Sequence, residues 1–412
     1  MAKKKPRFYT GESRLNILFL MKLMHIGGQE MVTITLANYF AIQGHRVSIV
    51  SFEKPWDEAV NRTNSSVHFY TLGTFKNSKK NVKKLNEILC KESVDVVINQ
   101  WGLPFTPTKV LNAAIKKGGS VKPDIKTIAI YHNDPQTNAR IKDVEISLEN
   151  CSNPLKRMLL IFKKKIFAKI TSRSMRYVYN HCDQYQVLSQ SYIEGFRAFT
   201  GVTNASHVIA QTNPVTIDTE KFVYGPDKKY KEIIYCGRID FNQKRVCRLI
   251  EIWSYLEVKF PDWRLVVVGD GESRKDLENQ VKKFKLQNVL FEGFQKPLEY
   301  YKRASILALT SEYEGFPLVL AECMSFGVVP CIYDSFAAVY DIIEDEINGL
   351  IIGKINGKFS AKEMATRLAE IMTNEQKLDM MAQKAIETSK RYSIDSVYEQ
   401  WMENLNVLLQ SK

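Results

Sequence analysis

No apolar run in this 412-residue chain approaches the roughly 20 residues that a membrane-spanning helix needs, so no transmembrane segment is expected. Paired cysteines are missing too. The seven cysteines stand singly, with no Cys-x-x-Cys and an odd total, which argues against a disulfide framework and suits reduced thiols in a cytosol. The basic start at residues 1–7 has no apolar stretch or cleavage site before the run at 15–20, so a signal peptide is not expected. No Asp-x-Asp occurs, and no group of His, Asp and Glu has metal-ligand spacing; no metal site and no cofactor are expected. Nothing resembles a zinc finger, an RNA-recognition motif or a helix-turn-helix, so nucleic acid is not the expected partner.

A net charge of +13 still needs a cause, and a polyanionic substrate or an anionic membrane surface would supply one. The charge is concentrated. Between Cys151 and Cys182 there is no acidic residue, while Lys156, Arg157, Lys163, Lys164, Lys165, Lys169, Arg173 and Arg176 all fall there. Leu155, Leu159, Phe162, Ile166 and Ile170 recur among them at helical spacing. A basic amphipathic helix over about 154–178 is therefore expected, with Lys163, Lys164 and Lys165 on phospholipid headgroups. Leu160 and Ile161 interrupt its polar face, so a core helix with one solvated flank is the alternative.

Apolar content of 45% and charged content of 25% are those of a globular protein, and the length implies two domains of roughly 200 residues. Apolar runs at 15–20, 46–52, 94–99, 125–131 and 184–188 read as strands, with a helix over 31–42. A polar stretch at 221–231 reads as a linker. Strands then resume at 232–236, 263–268, 289–292, 306–310, 328–333 and 349–352, and a last helix covers 393–409. Strands alternating with helices predict an α/β fold of two doubly wound Rossmann-like domains, residues 1–215 and 216–390, followed by a terminal helix over 391–412.

The most informative stretch is Glu314-Gly315-Phe316-Pro317-Leu318-Val319-Leu320-Ala321-Glu322, in which seven residues separate two carboxylates. Pro317 suits the first turn of a helix, which leaves Glu314 in the loop after a buried strand and Glu322 inside the helix. Ligands in open α/β sheets sit at such carboxyl strand ends, where two fixed carboxylates can hold hydroxyl groups. Gly237-Arg238 follows the first strand of the second half, with Lys244 six residues beyond Arg238, and a guanidinium and an ammonium together suit a diphosphate. Gly27-Gly28 lies between a strand and a helix, where a bare backbone can approach an anion. His132 follows the strand at 125–131.

The spacing of Glu314 and Glu322, with the Gly-Arg-x5-Lys of residues 237–244, resembles the retaining glycosyltransferases of GT-B architecture, family 4 type (glycosyl transferases group 1). The resemblance runs over most of the chain. It implies two Rossmann-like domains facing across a cleft, with a nucleoside-diphosphate sugar held mainly by the second. Glu322 would take the ribose, Glu314 the sugar hydroxyls beside Gly315, Phe316 and Pro317, and Arg238 and Lys244 the departing diphosphate. Gly269 and Phe294 would flank the base. His132 would orient the reacting sugar, and Gly28 would lie over the donor phosphates. Residues 334–339 depart from the family form, carrying Ser and Ala where a glycine is usual. The implied function is transfer from a UDP- or GDP-sugar to a saccharide acceptor, lipid-linked, in bacterial capsule, lipopolysaccharide or wall-glycan synthesis. The expected place is the cytoplasmic face of the membrane. A nucleotide-sugar epimerase of the same fold and a non-catalytic glycan- or nucleotide-binding subunit are the alternatives.

Overall fold

The computed structural model describes residues 14–122, 124–149, 151–219 and 222–410; the basic start at 1–7 lies outside them, as does Lys221 of the expected linker. The described chain divides into two compact units. The residues up to Gln136, with Phe162–Thr216 and those from Ser393, form one, and Thr137–Ile161 with Ile217–Tyr392 form the other.

In the first unit, seven parallel strands form one sheet. They are β1 (Asn16–Met21), β2 (Arg46–Ser51), β3 (His68–Thr71), β4 (Val96–Asn99), β5 (Lys126–Tyr131), β6 (Gln184–Val187) and β7 (Val208–Ala210), in the order β3-β2-β1-β4-β5-β6-β7. The central strands are buried along nearly their whole length, which is why they read as continuous apolar runs. The short β3 and β7 are only partly buried, and neither carries such a run. The helix Ile394–Gln410 packs on Gly28–Ile42, with Phe40 against the rings of Tyr398 and Trp401.

The second unit has six parallel strands: β8 (Tyr230–Cys236), β9 (Arg264–Val268), β10 (Val289–Gly293), β11 (Ala304–Leu309), β12 (Val329–Tyr333) and β13 (Leu350–Ile352). Their order is β10-β9-β8-β11-β12-β13. The expected linker is less free than its polarity suggests. Phe222 packs its ring on Phe326, the Tyr224 hydroxyl donates to Asp379 at 2.8 Å, and β8 already begins at Tyr230.

Both strand orders reverse direction beside their first strand, between β1 and β4 and between β8 and β11. Successive crossovers leave the sheet on opposite faces at such a point, so the loops there splay apart and leave a crevice at the carboxyl ends. The loop that ends at Gly27 and the one holding Gln100 flank that point in the first sheet, and those holding Arg238 and Glu314 flank it in the second. At the neighbouring strand end, Gly269 takes φ +141°, and a Cβ there would stand 1.8 Å from the carbonyl oxygen of Gly237. Two backbones touch at this position, so no side chain fits.

Gly269→Ala is expected to lower the melting temperature by roughly 5–10 °C, because the clash is with backbone and neither loop can yield cheaply. An unchanged thermal melt would mean that the loop adapts.

Candidate functional site

Two side-chain constellations stand at the switch points, one in each unit. In the second unit, β8 ends at Cys236 and the chain turns through Gly237, whose φ of +150° suits only glycine. The Tyr235 hydroxyl donates to the Arg238 carbonyl at 2.6 Å and holds the turn. Arg238 Nε donates to Asp240 Oδ2 at 2.9 Å and Nη2 to Gln243 Oε1 at 3.2 Å, while Nη1 makes no hydrogen bond among the described residues. Asp240 is buried and also accepts from the Gln243 and Lys244 amides, at 2.6 and 3.0 Å. One carboxylate thus fixes both the guanidinium and the backbone that carries the lysine.

Lys244 Nζ then lies 2.6 Å from Glu314 Oε1, with the Glu314 carboxylate buried and the Lys244 side chain mostly covered. An ammonium has three donors, so the pair leaves capacity for an anionic oxygen beside it. The loop after β11 is laced to the loop after β8 along its backbone. The Glu312 amide donates to the Gln243 carbonyl at 2.7 Å, and Gln243 Nε2 reaches the Tyr313 carbonyl at 3.3 Å. Glu312 also takes Arg248 at 2.5 Å and Arg245 at 3.4 Å. Arg245, at φ +51°, holds a left-handed conformation that non-glycine residues rarely adopt, and its guanidinium lies 3.4 Å from Glu312 and 3.5 Å from Glu149. Burial and the nearby carboxylates of Asp240, Asp143 and Glu314 push the Tyr313 phenol up to about 12, so it stays protonated.

Pro317 stands at the N-cap of the helix Leu318–Ser325, one position before the expected first turn. Gly315, Phe316 and Pro317 are all buried, and Phe316 packs on Tyr392 with ring centroids 5.2 Å apart. Glu322 is buried in the helix, its Oε2 3.4 Å from the Tyr301 hydroxyl. At 82% exposure, the Phe294 ring just beyond β10 is open to solvent, as a base-stacking surface would have to be. The glycine-free loop at 334–339 uses the Ser335 hydroxyl to hold the Ser311 carbonyl.

In the first unit, Gly28 opens the helix Gly28–Ile42 directly after the turn at Gly27. A Cβ at Gly27 would stand 2.7 Å from Glu30 Oε2, so the bare backbone lets that carboxylate fold back over the turn. Glu30 is buried, and loss of water pushes its carboxyl above the usual range. His132 follows β5 and places Nε2 2.5 Å from the Gln100 side-chain amide. Gln100 follows β4, and its carbonyl accepts from Gln29 Nε2 at 2.5 Å. Burial drives the His132 ring down to about 3, so the imidazole is neutral at physiological pH. Lys163, Lys164 and Lys165 lie mid-way along the helix Pro154–Tyr179, outside both constellations.

Sequence reasoning missed Asp240, Gln243, Glu312 and Gln100. Asp240 and Gln243 fall inside the Gly-Arg-x5-Lys spacing, where an acid so close to the arginine was the available signal. Gln100 had none beyond following a strand.

Two family models match consecutive stretches of the chain. "Glycosyltransferase Family 4" covers residues 26–215, and "Glycosyl transferases group 1" covers 216–388. A glycosyltransferase of Haemophilus influenzae, described as uncharacterized, is 26% identical over 93% of this chain and 97% of its own length. The "GalNAc-alpha-(1->4)-GalNAc-alpha-(1->3)-diNAcBac-PP-undecaprenol alpha-1,4-N-acetyl-D-galactosaminyltransferase" of Campylobacter jejuni is 24% identical over 94% and 97%. Among solved structures, Anabaena HepE in complex with UDP superposes with a TM-score of 0.72 at 17% identity, covering 95% of this chain and 99% of that one. The protein belongs to the family 4-type glycosyltransferases of GT-B fold.

Glu312→Gln should destabilise the protein by about 2 kcal/mol in urea unfolding, since it removes the carboxylate that two largely covered guanidinium groups share. Arg245→Gly should then cost less in that background than in the wild type, and additive losses would mean that the two do not interact. Unfolded, His132 gains a proton near pH 6.5 that the folded ring refuses. The group therefore subtracts stability as pH falls from 6.5 towards 3, by about 2 kcal/mol at pH 5. The unfolding free energy of His132→Gln should fall less between pH 7 and pH 5 than that of the wild type, and parallel curves would contradict the neutral assignment.

Proposed function

We propose that the protein transfers a sugar from a nucleoside-diphosphate sugar, UDP or GDP, to a saccharide acceptor with retention of anomeric configuration. The observation that carries this reading is the Lys244–Glu314 pair at the switch point of the second sheet, with Arg238 on the same loop. Arg238 and Lys244 stabilise the diphosphate as the bond from the anomeric carbon to the phosphate oxygen breaks and the oxygen keeps the electron pair. Glu314 accepts from a sugar hydroxyl and Glu322 from the ribose. Gly28 and the helix it opens offer backbone donors to phosphate oxygens, and Phe294 and the Gly269 turn lie against the base.

The acceptor hydroxyl attacks from the face that the diphosphate leaves, and its proton passes to the departing phosphate oxygen. His132, neutral, orients a sugar hydroxyl by hydrogen bonding rather than by proton transfer. Two cations carry the developing charge, so no divalent ion and no cofactor are assigned to the step. The transferred group is a hexose or N-acetylhexosamine. The acceptor is a lipid-linked saccharide of capsule, lipopolysaccharide or wall-glycan assembly, met at the inner face of the cytoplasmic membrane. The Campylobacter relative's name, with its PP-undecaprenol acceptor, and the UDP in the HepE complex support the two substrate classes.

Glu314→Gln should cut turnover at least about 100-fold in a panel of UDP- and GDP-sugars supplied with membrane extract, while nucleotide affinity falls by less than about fivefold. Equal losses in both would place Glu314 on the nucleotide instead. Excess EDTA should leave turnover unchanged, and restoration of an EDTA-inhibited rate by magnesium or manganese would require a metal-held diphosphate.

A further inference from the structure

The helix Pro154–Tyr179 is 26 residues long, yet its buried residues, Thr171, Ser174, Met175, Val178 and Tyr179, all lie in its last third. Further towards its start, Leu155, Leu159, Phe162, Ile166 and Ile170 follow one another at intervals of three and four, which puts them on a single stripe. That stripe is 72%, 65%, 64%, 40% and 57% exposed. Leu160, Lys164 and Phe167 are half-buried instead, and their row continues into Thr171, Met175 and Val178. Leu160 therefore belongs to the inner row and does not interrupt a polar face. The stripe lies on the side of the helix away from that row.

Single exposed apolar residues are ordinary on a protein surface, but five in register along about four turns are not. Cations border the stripe on both sides. Lys156 and Lys163 flank one edge, Lys165 and Lys169 the other, and all four are exposed. No acidic residue occurs between Cys151 and Cys182. A second copy of this helix seated on the first would bring two lysine borders together, which like-charge repulsion opposes. A surface that is apolar beneath and negatively charged above matches both the stripe and its borders.

We infer that the stripe Leu155-Leu159-Phe162-Ile166-Ile170 inserts into the headgroup boundary of an anionic phospholipid bilayer, with Lys163, Lys165 and Lys169 on its phosphates. This deepens the lipid-linked acceptor reading above, on which its use to the enzyme rests; the partition itself does not depend on the donor chemistry.

Flotation of the full chain with vesicles tests it. Wild-type protein should float with vesicles of phosphatidylcholine containing phosphatidylglycerol, at least about tenfold more than with phosphatidylcholine alone at low salt. The doubly substituted F162S/I166S should lose most of that partition even at low salt, and K165E/K169E should lose its preference for phosphatidylglycerol. Neither variant should change the melting temperature or its rise on adding UDP, because the altered side chains are exposed. A wild type that does not float, or variants that float equally well, would overturn the inference. So would a dimer in light scattering that F162S/I166S abolishes. A wild-type melting temperature that rises with neither UDP nor GDP would instead count against the donor reading and leave the membrane result standing.

Discussion

The contact between the Lys244 ammonium and the Glu314 carboxylate joins two loops whose positions differ by 70 in the sequence. It exists because β8 and β11 are parallel neighbours, and because the sheet order reverses there so that the two loops have room to meet. A carboxylate and an ammonium brought this close and largely covered lose hydration, and the geometry must hold them together for the pair to persist. The surrounding bonds do that. Asp240 fixes the backbone of Lys244 from one side, and Glu312 fixes the other loop through its own amide and through Arg245 and Arg248. The left-handed turn at Arg245 and the bare backbones of Gly237 and Gly269 follow from the same crowding of loops at the carboxyl strand ends.

Much of this was legible in the chain. Buried parallel strands write themselves as continuous apolar runs, and eleven of the thirteen strands among the described residues were placed from sequence, the less buried β10 among them. The two that were not, β3 and β7, are short and incompletely buried, so His68–Thr71 and Val208–Ala210 carry no such signature. The carboxylates at 314 and 322 and the cations at 238 and 244 were legible because their spacing is unusual. What they touch was not. That Arg238 is held by Asp240, and that Gln100 faces His132, depends on rotamers and on strand neighbours that no local pattern encodes. The resemblance sets Gly269 beside the base, but its geometry answers first to the Gly237 carbonyl pressed against it.

The basic helix shows the same division. Its limits, expected at about 154–178, are found at Pro154–Tyr179, because the 3- and 4-residue apolar rhythm is a strong local signal. Two rows of apolar residues on one helix left its burial ambiguous in the sequence. Packing separates them, one row running into the core and the other left in solvent beside the lysines. Part of the net charge of +13 thus sits along both borders of one exposed apolar stripe, apart from the site cations Arg238 and Lys244.

Calorimetric titration of UDP and GDP into the wild type, Arg238→Ala, Lys244→Ala and the double variant tests most directly whether the switch point of the second sheet holds a nucleoside diphosphate. Each single substitution should weaken binding of one nucleotide roughly 10- to 100-fold, as the loss of a charged hydrogen bond to phosphate would. The double variant should show none in the accessible range. Binding of equal affinity in all four proteins would contradict the account and move the nucleotide elsewhere on the fold.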